Sequence, residues 1–450
     1  MQSIQSAASR SLLARPQGLP CILSRRNGTR WRLSRPKASQ KSYSSPSAAA
    51  ALSGIRVLDL SRVLAGPYCA QILADYGADV IKIEDPERGD DTRYIRLANE
   101  EAAWKPNIGP MSVYFAVCNR NKRSVRLNLK HARGKEIFLD MVKDADILIE
   151  NFKRGSMEKL GLGFDVLSEI NPRLIFASVS GYGPDGPYAQ RAGYDMITEA
   201  GLLHLQGERD RAPVKAGIAI TDLTTGLYMH GAILAALQAR HHTGRGQKLD
   251  GSLFETQIAL LTQSAMAWLN LGQEAQRWGS QHSSVVPYDA FKTKDIYLVC
   301  GAVNDVQFKK FCTILGQPEL ASDERFKNNY SRVMNRDELN KILKGLFLLK
   351  TTDEWLEAFD GSGLPYGAIN TMERVFKHPQ TAARDMVVEM PFEPATSGKF
   401  SLLGPAVKFS DTEPTIRRPP PLHGQHTDEV LADFGVGDAE INKLRQEGVI

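Results

Sequence analysis

The chain has 450 residues, 42% hydrophobic and 24% charged, which is ordinary for a globular protein large enough to form two domains. Its net charge of +5 comes from residues 1–50, which hold seven Arg, two Lys and no acidic residue and leave 47 basic against 51 acidic residues elsewhere. A mildly acidic body argues against nucleic acid as a partner, and no apolar run approaches the roughly 18 residues that a membrane span needs.

The first 50 residues have the composition of an organelle-targeting segment. Arginine and serine are frequent, acidic residues are absent, and no continuous apolar core of a secretory signal is present. This composition predicts a mitochondrial or plastid transit peptide and linker over residues 1–50, with a disordered basic tail as the alternative; of the two organelles we expect a mitochondrial (matrix) location. The five scattered cysteines include no Cys-x-x-Cys pair, which predicts neither a disulfide framework nor a zinc site and fits a reducing compartment.

Between residues 54 and 178, strand and helix patterns alternate. Short apolar runs predict strands at 55–60, 79–84, 124–129, 147–150 and 174–178. Helical periodicity and Pro/Gly signals predict helices at 67–77, 134–143 and 157–170. Because such alternation implies crossover connections, the expected fold class is α/β, with an open Rossmann-like, mostly parallel sheet in a large domain.

Loops that follow these strands are the expected ligand-binding edge, since open α/β sheets bind ligands beyond the carboxyl ends of their strands. The candidate loops are Ser61–Pro67, Asp85–Arg93, Asn151–Gly155 and Gly181–Gly186. The runs Asn119–Arg123 and Asn151–Arg154 together offer five cations suited to phosphate groups, with solvated surface as the alternative.

The run Gly181–Gly186 also fits a G-x-G-x-x-G pattern. Pro184 and Pro187, however, interrupt a helix start there, so we predict a turn exposed to a ligand and no NAD site.

The stretch Lys215–Leu237 holds the main catalytic candidate. Its apolar start predicts a strand ending at Ile220, and leucines at 223, 227, 234 and 237 predict a helix after it. Asp222 would then lie where a strand feeds a helix. Two roles are open from this pattern: an N-cap, for which Asp is a preferred residue, or a nucleophile.

The second half predicts a smaller α+β domain. We expect a helix at 247–271, a hairpin at 290–301, and helices at 305–315, 336–346 and 352–359. The predicted division is a large-domain first part at 51–270, a small domain at 271–372 and a return segment completing the large domain at 373–450.

Residues 279–284, rich in Gly and Ser, are predicted to close over the site. The pairs His241/His242 and His423/His426 lack companion ligands, so no metal site is expected.

A series of motifs runs in order through residues 54–450. The motifs are GIRVLDLSR from Gly54, AGP from Ala65, GADVIKIE from Gly77, GDDTR from Gly89, NKRS from Asn121, ADILIENF from Ala145, NPRLI from Asn171, SGYG from Ser180, GYD from Gly193, TGRGQ from Thr243 and GQHTDEV from Gly424. This series resembles the class III coenzyme A transferases, a family that includes formyl-CoA transferase and the carnitine CoA-transferases. The mitochondrial targeting and the GDDTR form are similar to its succinate–hydroxymethylglutarate group.

The resemblance implies roles for individual residues. Asp222 would be the nucleophile, with Asp195 near the reacting thioester as a possible support. Coenzyme A would lie over Val63, Leu64, Ala65, Leu127, Asn128, Lys130, Asn151, Phe152, Lys153, Gly181, Tyr182 and Gly183. The resemblance also implies an interlocked homodimer, CoA thioesters as substrates, and no tightly bound cofactor and no metal.

Within this family, racemases use a His at the middle of the GYD motif, where this chain has Tyr194. A phenol is a poor replacement for a base that works near neutrality, so transfer is favoured over an α-methylacyl-CoA racemase activity. Leu64 stands where the formyl-CoA enzyme has Gln, and Asp85 where some transferases have Arg. The similarity to the succinate–hydroxymethylglutarate group implies CoA transfer from succinyl-CoA to a glutarate-type acid; a non-catalytic CoA-binding protein is the remaining alternative.

Overall fold

A computed structural model describes residues 50–195 and 200–450, so the transit-peptide prediction lies outside the described residues. Its main feature is a parallel sheet of six strands in the order β3-β2-β1-β4-β5-β6. The strands are β1 (Arg56–Asp59), β2 (Asp79–Glu84), β3 (Lys122–Arg126), β4 (Ile147–Glu150), β5 (Ile175–Ser180) and β6 (Lys248–Ser252). This order reverses between β1 and β4, which is where doubly wound sheets bind ligands. The predicted α/β class with a Rossmann-like sheet is confirmed.

Helices cover both faces of this sheet. Those of the first 271 residues are α1 (Ala65–Asp75), α2 (Val113–Ala116), α3 (Ala132–Lys143), α4 (Ser156–Lys159), α5 (Phe164–Ile170), α6 (Leu202–Leu205), α7 (Ile220–Thr243), α8 (Leu253–Leu260) and α9 (Thr262–Leu271). Val57 and Leu58 show the two-sided pattern, because consecutive strand residues point to opposite faces. Val57 packs in one core with α1 and α7, and Leu58 packs in another with α3 and α5.

Two predictions around this sheet are wrong. Residues 215–219 form no strand: Ile218 is 60% exposed, and the chain enters α7 at Ile220 directly. The buried face of α7 holds Thr225, Met229 and Ile233, whereas Leu227 is exposed. Residues 248–252 were expected in a helix and instead form β6. Backbone pairing with β5 outweighs the low strand propensity of Asp and Gly in that run.

The small sheet and its helices form a separate core. Strands β7 (Tyr288–Lys292), β8 (Tyr297–Gly301) and β9 (Tyr366–Ala368) pair antiparallel, which confirms the predicted hairpin. The helices that follow β8 are α10 (Asp305–Ile314), α11 (Asn329–Met334), α12 (Arg336–Phe347), α13 (Thr352–Phe359), α14 (Met372–Phe376) and α15 (Pro379–Ala383). Stacked aromatic rings, with Phe291 and Phe347 centroids 4.5 Å apart, fill this core. The domain limits themselves stay a prediction.

The last part of the chain returns to the six-stranded sheet. A hairpin of β10 (Val387–Pro391) and β11 (Lys399–Leu403) packs its aromatic residues against Trp104. Further on, the His426 N–H donates to the Ser124 carbonyl of β3, and helices α16 (Thr427–Asp433) and α17 (Asp438–Gln446) complete the Leu58 core. These contacts explain why so long a segment follows the small sheet.

Candidate active site at the start of helix α7

Asp222 lies in the first turn of α7 and does not cap it. The N-cap is Ala219, so the capping interpretation of Asp222 is wrong. The Asp222 carboxylate is partly buried and has no hydrogen bond or ion pair within residues 50–195 and 200–450. Burial, reinforced by the charge of Asp195 and opposed by that of Lys215, raises its pKa to about 7. A carboxyl group of this kind is half ionised at neutral pH and has free lone pairs.

Asp195 supplies the cap that Ala219 lacks. Its Oδ1 accepts a 2.9 Å hydrogen bond from the Thr221 N–H, one of the donors that a helix start leaves unpaired. Its Oδ2 lies 3.5 Å from the Lys215 ammonium. The predicted support residue therefore lies next to the predicted nucleophile along the helix start, and its carboxylate acts on Asp222 through space.

Close backbone contacts set this geometry. A Cβ on Gly193 would come 2.1 Å from the Gly181 Cα, so the loop carrying Asp195 touches the loop after β5 only because both residues are glycine. A Cβ on Gly226 would come 2.7 Å from the Ala65 carbonyl oxygen. Gly226 thus allows α7 to approach the start of α1, which brings Asp222, one turn earlier, toward the loop after β1.

The loop after β1 is held in an unusual conformation. Val63 has φ +69°, which is strained for a β-branched residue and costs about 1–3 kcal/mol. Its N–H donates to the Asp90 carboxylate at 3.2 Å, and the neighbouring Arg62 exchanges two hydrogen bonds with the Asn151 amide, at 2.8 and 2.7 Å. Asn151 therefore joins the two strand ends at the switch point between β1 and β4.

Buried ion pairs support this loop from below. The Lys82 ammonium lies 2.9 Å from Asp90 and 2.8 Å from the Ser61 carbonyl oxygen, and both side chains are fully buried. Lys122 pairs in the same way with Asp59 at 2.8 Å. Burial alone would raise the pKa of Asp90, but the Lys82 charge and the Thr92 hydrogen bonds hold that pKa at about 2. These pairs fix the backbone from Ser61 to Val63.

The prediction that Asn119–Arg123 binds phosphate is wrong. Arg120 forms a bidentate pair with Asp75, and Arg123 bonds to Asp79 and Asp433. Lys122 is buried and pairs with Asp59, so it is not open to a ligand. A cation-rich run in the sequence is here an internal network, because acidic residues from distant segments neutralise each side chain.

The predicted contacts of coenzyme A all follow parallel strands and so share one edge of the sheet. Lys153 and Arg154 are exposed, have no ion pair in the described part of the chain, and line a cleft with Gly183 and Lys248. Leu127 is buried in the core, and its N–H donates to the Glu84 carbonyl oxygen. From β3 to β5 the edge spans four strand spacings, roughly 19 Å, which suits an extended ligand.

Other predicted residues are placed as follows. Leu64 is buried at the N-cap of α1, and Ala65 begins that helix. Tyr182 stacks near Phe254, with ring centroids 5.7 Å apart. Asn128 accepts from the Lys130 N–H at 3.0 Å, and Phe152 is partly buried.

The run 279–284 is anchored by its backbone, because Arg336 donates to the His282 and Ser283 carbonyl oxygens. Its closure over the site stays a prediction.

Three residues near Asp222 were given no role by the sequence. Lys215 opens the stretch that contains Asp222, and Asp90 lies inside the GDDTR motif, but nothing in their spacing shows what they contact. Tyr114 of α2 is the third: burial, followed by the charge of Asp222, raises its pKa. Asp90 and Tyr114 come to the site from segments more than 100 residues away in the chain, whereas Lys215 lies in the loop directly before α7.

Within the described residues, three other features bear on chemistry. No group of three or more His, Cys, Asp or Glu side chains is arranged to hold a metal ion. The cysteines at 69, 118, 300 and 312 are buried free thiols. No helix there combines the length and apolarity that crossing a bilayer requires.

Comparisons with known proteins show which family the chain belongs to. The model of CoA-transferase family III matches residues 52–427. An acyl-CoA transferase of Fusarium pseudograminearum is 55% identical over 90% of each chain, and the succinyl-CoA:glutarate CoA-transferase of Homo sapiens is 44% identical over 89% of this chain and 90% of the human protein. The crystal structure of a CAIB/BAIF family protein from Brucella suis superimposes with a TM-score of 0.75 at 38% identity, covering 86% of this chain and all of that one.

Proposed function

Because the chain belongs to CoA-transferase family III and is thus a CoA-transferase, we propose that it moves CoA from succinyl-CoA to a glutarate-type acid through a covalent bond to Asp222. The observation that carries the proposal is the state of Asp222. It is a partly buried carboxylate in the first turn of a long helix, with a pKa of about 7 and no partner in the described residues. A structural carboxylate at that depth would have a counter-ion.

The proposed reaction needs four acyl transfers and no net oxidation. An Asp222 oxygen attacks the succinyl thioester carbon, the C–S bond breaks, and a mixed anhydride and CoA thiolate result. The thiolate attacks the aspartyl carbonyl, releasing succinate and leaving an Asp222–CoA thioester. The acceptor carboxylate then attacks that thioester, its C–S bond breaks, and an anhydride between Asp222 and the acceptor forms with release of CoA thiolate. The thiolate attacks the acceptor carbonyl of this anhydride, which gives the acceptor's CoA thioester. Asp222 is regenerated as a carboxylate.

The surroundings of Asp222 suit these steps. Even with its pKa raised to about 7, Asp222 keeps an ionised fraction near neutral pH, and partial removal from water leaves the ionised form more reactive. Donors at the start of α7 favour negative charge, and one of them is already occupied by Asp195. In this role Asp195 is a positioning residue that holds the helix start and tunes the nucleophile.

Substrate identity is inferred from the relatives. Enzymes of Homo sapiens and Agrobacterium fabrum, 44% and 40% identical to this chain, are succinyl-CoA:glutarate and succinate–glutarate CoA-transferases. Cations at the end of β4, Lys153 and Arg154, supply charge for CoA phosphates at the same sheet edge. The racemase alternative has no support here, since Tyr194 is 71% exposed to solvent.

Trapping the covalent intermediate tests the proposal. The full-length protein is incubated with succinyl-CoA and hydroxylamine, which converts an aspartyl thioester or anhydride into a hydroxamate, and peptides are mapped by mass spectrometry. We expect the hydroxamate on Asp222 and its absence in Asp222→Asn. Asp140→Asn, an exposed carboxylate on α3, is the matched control and should label as the parent does. Transfer at an undiminished rate in Asp222→Asn would contradict the mechanism.

Assembly and location complete the proposal. We expect a homodimer, because α9 has no buried residue and exposes Trp268, Leu269 and Leu271. Light scattering at micromolar concentration should give twice the chain mass of 49.7 kDa. A fluorescent fusion of the full chain should enter mitochondria and lose import when residues 1–50 are deleted.

A further inference from the structure

Lys215 is a cation beside the proposed nucleophile that the reaction so far does not use. Its ammonium lies 3.5 Å from Asp195 Oδ2, and its charge lowers the pKa of Asp222 against the larger raising effects of burial and of Asp195. At that separation the pair is held by charge rather than by a short hydrogen bond. The Lys215 side chain is 50% exposed and has no other ion-pair partner in the described part of the chain, so its donors are open to a ligand.

A dicarboxylic substrate poses an electrostatic problem at this place. One carboxyl group must react at Asp222, and the second carboxylate then enters a region that holds the Asp195 charge and, while the donor binds, the charge of ionised Asp222 as well. Like charges a few ångströms apart in a partly desolvated site repel each other. A monocarboxylic acid brings no second charge and does not need a cation there.

We propose that Lys215 binds the distal carboxylate of the acyl group and so selects dicarboxylic over monocarboxylic acids; this inference rests on the proposed function. Four carbon–carbon bonds separate the carboxyl carbons of glutarate, roughly 5 Å in extended form. Asp195 contacts both the helix start that carries Asp222 and the lysine: one of its oxygens accepts from the Thr221 N–H next to Asp222, and the other faces Lys215. A half-exposed lysine can rotate from Asp195 toward the distal carboxylate without losing a buried partner.

The position of Lys215 separates it from the cations assigned to phosphate. Lys153 and Arg154 line the cleft beyond β4, β5 and β6, whereas Lys215 contacts the residue that caps α7. Lys153 and Arg154 are therefore placed to bind CoA phosphates. Lys215, beside the reacting carboxylate, is placed to bind the acyl group.

The test compares acceptors that differ in the distal charge alone. kcat/KM is measured with glutarate and with valerate, which has the same five carbons and one carboxylate, using succinyl-CoA as donor; competitive inhibition constants give affinity where valerate turns over slowly. We expect Lys215→Met to lower kcat/KM for glutarate by about tenfold to thirtyfold and that for valerate by less than about threefold. Lys215→Arg should recover most of the preference, and Lys310→Met, an exposed lysine on α10, should change neither.

Three results would overturn the proposal. Equal losses for glutarate and valerate would make Lys215 a positioning residue for α7. An equal loss with acetyl-CoA and succinyl-CoA as donors would place it on the CoA phosphates. If Lys215→Met shifts the acidic limb of the kcat/KM–pH profile upward and leaves the acceptor preference unchanged, Lys215 acts only on the pKa of Asp222. Absence of transfer in the unaltered protein with any acceptor is a different result, since it would refute the proposed function.

Discussion

Asp90 and Asp222 are two carboxylates near the loop after β1, and they differ in whether a counter-ion is present. Asp90 is fully buried against Lys82, and its pKa is about 2. Asp222 is less buried, yet burial, together with the charge of Asp195 and against that of the half-exposed Lys215, raises its pKa to about 7. Burial raises the pKa of both groups, and the cation decides the outcome. The paired carboxylate holds backbone in place; the unpaired one is the proposed nucleophile.

The largest effect is expected from removing the reactive carboxylate. Asp222→Asn should lower kcat by about 10⁴-fold or more, because the covalent route disappears. The measurement is steady-state CoA transfer with succinyl-CoA and glutarate. Circular dichroism should show an unchanged fold, which separates this loss from unfolding. If Asp222→Asn retained more than a tenth of the activity, Asp222 would not be the nucleophile and would not differ from Asp90 in this respect.

Removing the counter-ion of the paired carboxylate should mainly reduce stability. Lys82→Met leaves Asp90 buried without a cation, which costs about 3–5 kcal/mol of the free energy of unfolding. Urea denaturation at pH 7.5 measures the change. The exposed pair Lys399–Glu389 offers a control, and Lys399→Met should cost less than about 1 kcal/mol. Similar losses in the two variants would contradict the structural role of Asp90.

The same comparison gives a pH-dependent gain in stability for Asp222→Asn. The folded pKa of about 7 lies above the unfolded value, so ionisation of Asp222 opposes folding increasingly from about pH 4 to pH 7 and constantly above that. The variant should therefore be more stable than its parent at pH 8 by on the order of 2 kcal/mol, allowing for partial exposure, and by less at pH 5. Equal differences at both pH values would show that Asp222 has an ordinary pKa.

The smallest effect concerns the tuning of Asp222 by its neighbour. Asp195→Asn keeps an oxygen for the Thr221 N–H but removes a negative charge, so the pKa of Asp222 should fall. The acidic limb of kcat/KM should move down by up to about one pH unit. The profile from pH 5 to 9 shows the shift. An upward movement, or none, would mean that Asp195 does not act on Asp222 through its charge.

Local patterns determined much of the fold. The predicted bounds of the strands at 79–84 and 147–150 match the structure, because runs rich in β-branched residues between turn residues favour strands. The same patterns failed at 215–220 and 248–252. An apolar run with no strand beside it stays irregular, and a polar run becomes a strand when a neighbouring backbone pairs with it.

For the site, the sequence by itself selected Asp222 as the candidate, since the ordered motifs resemble a family in which the matching Asp is the nucleophile; that role stays a proposal. Tertiary structure decided what surrounds it. Asp195 and Lys215 come from separate loops, and contact between the Gly181 and Gly193 backbones brings the Asp195 loop into place. Tertiary structure also pairs the cations at 119–123, which were predicted to bind phosphate, with acidic residues of the same protein. Charge in a sequence shows what a residue carries, whereas its partner, and therefore its pKa and its use, depends on chain segments that only folding brings together.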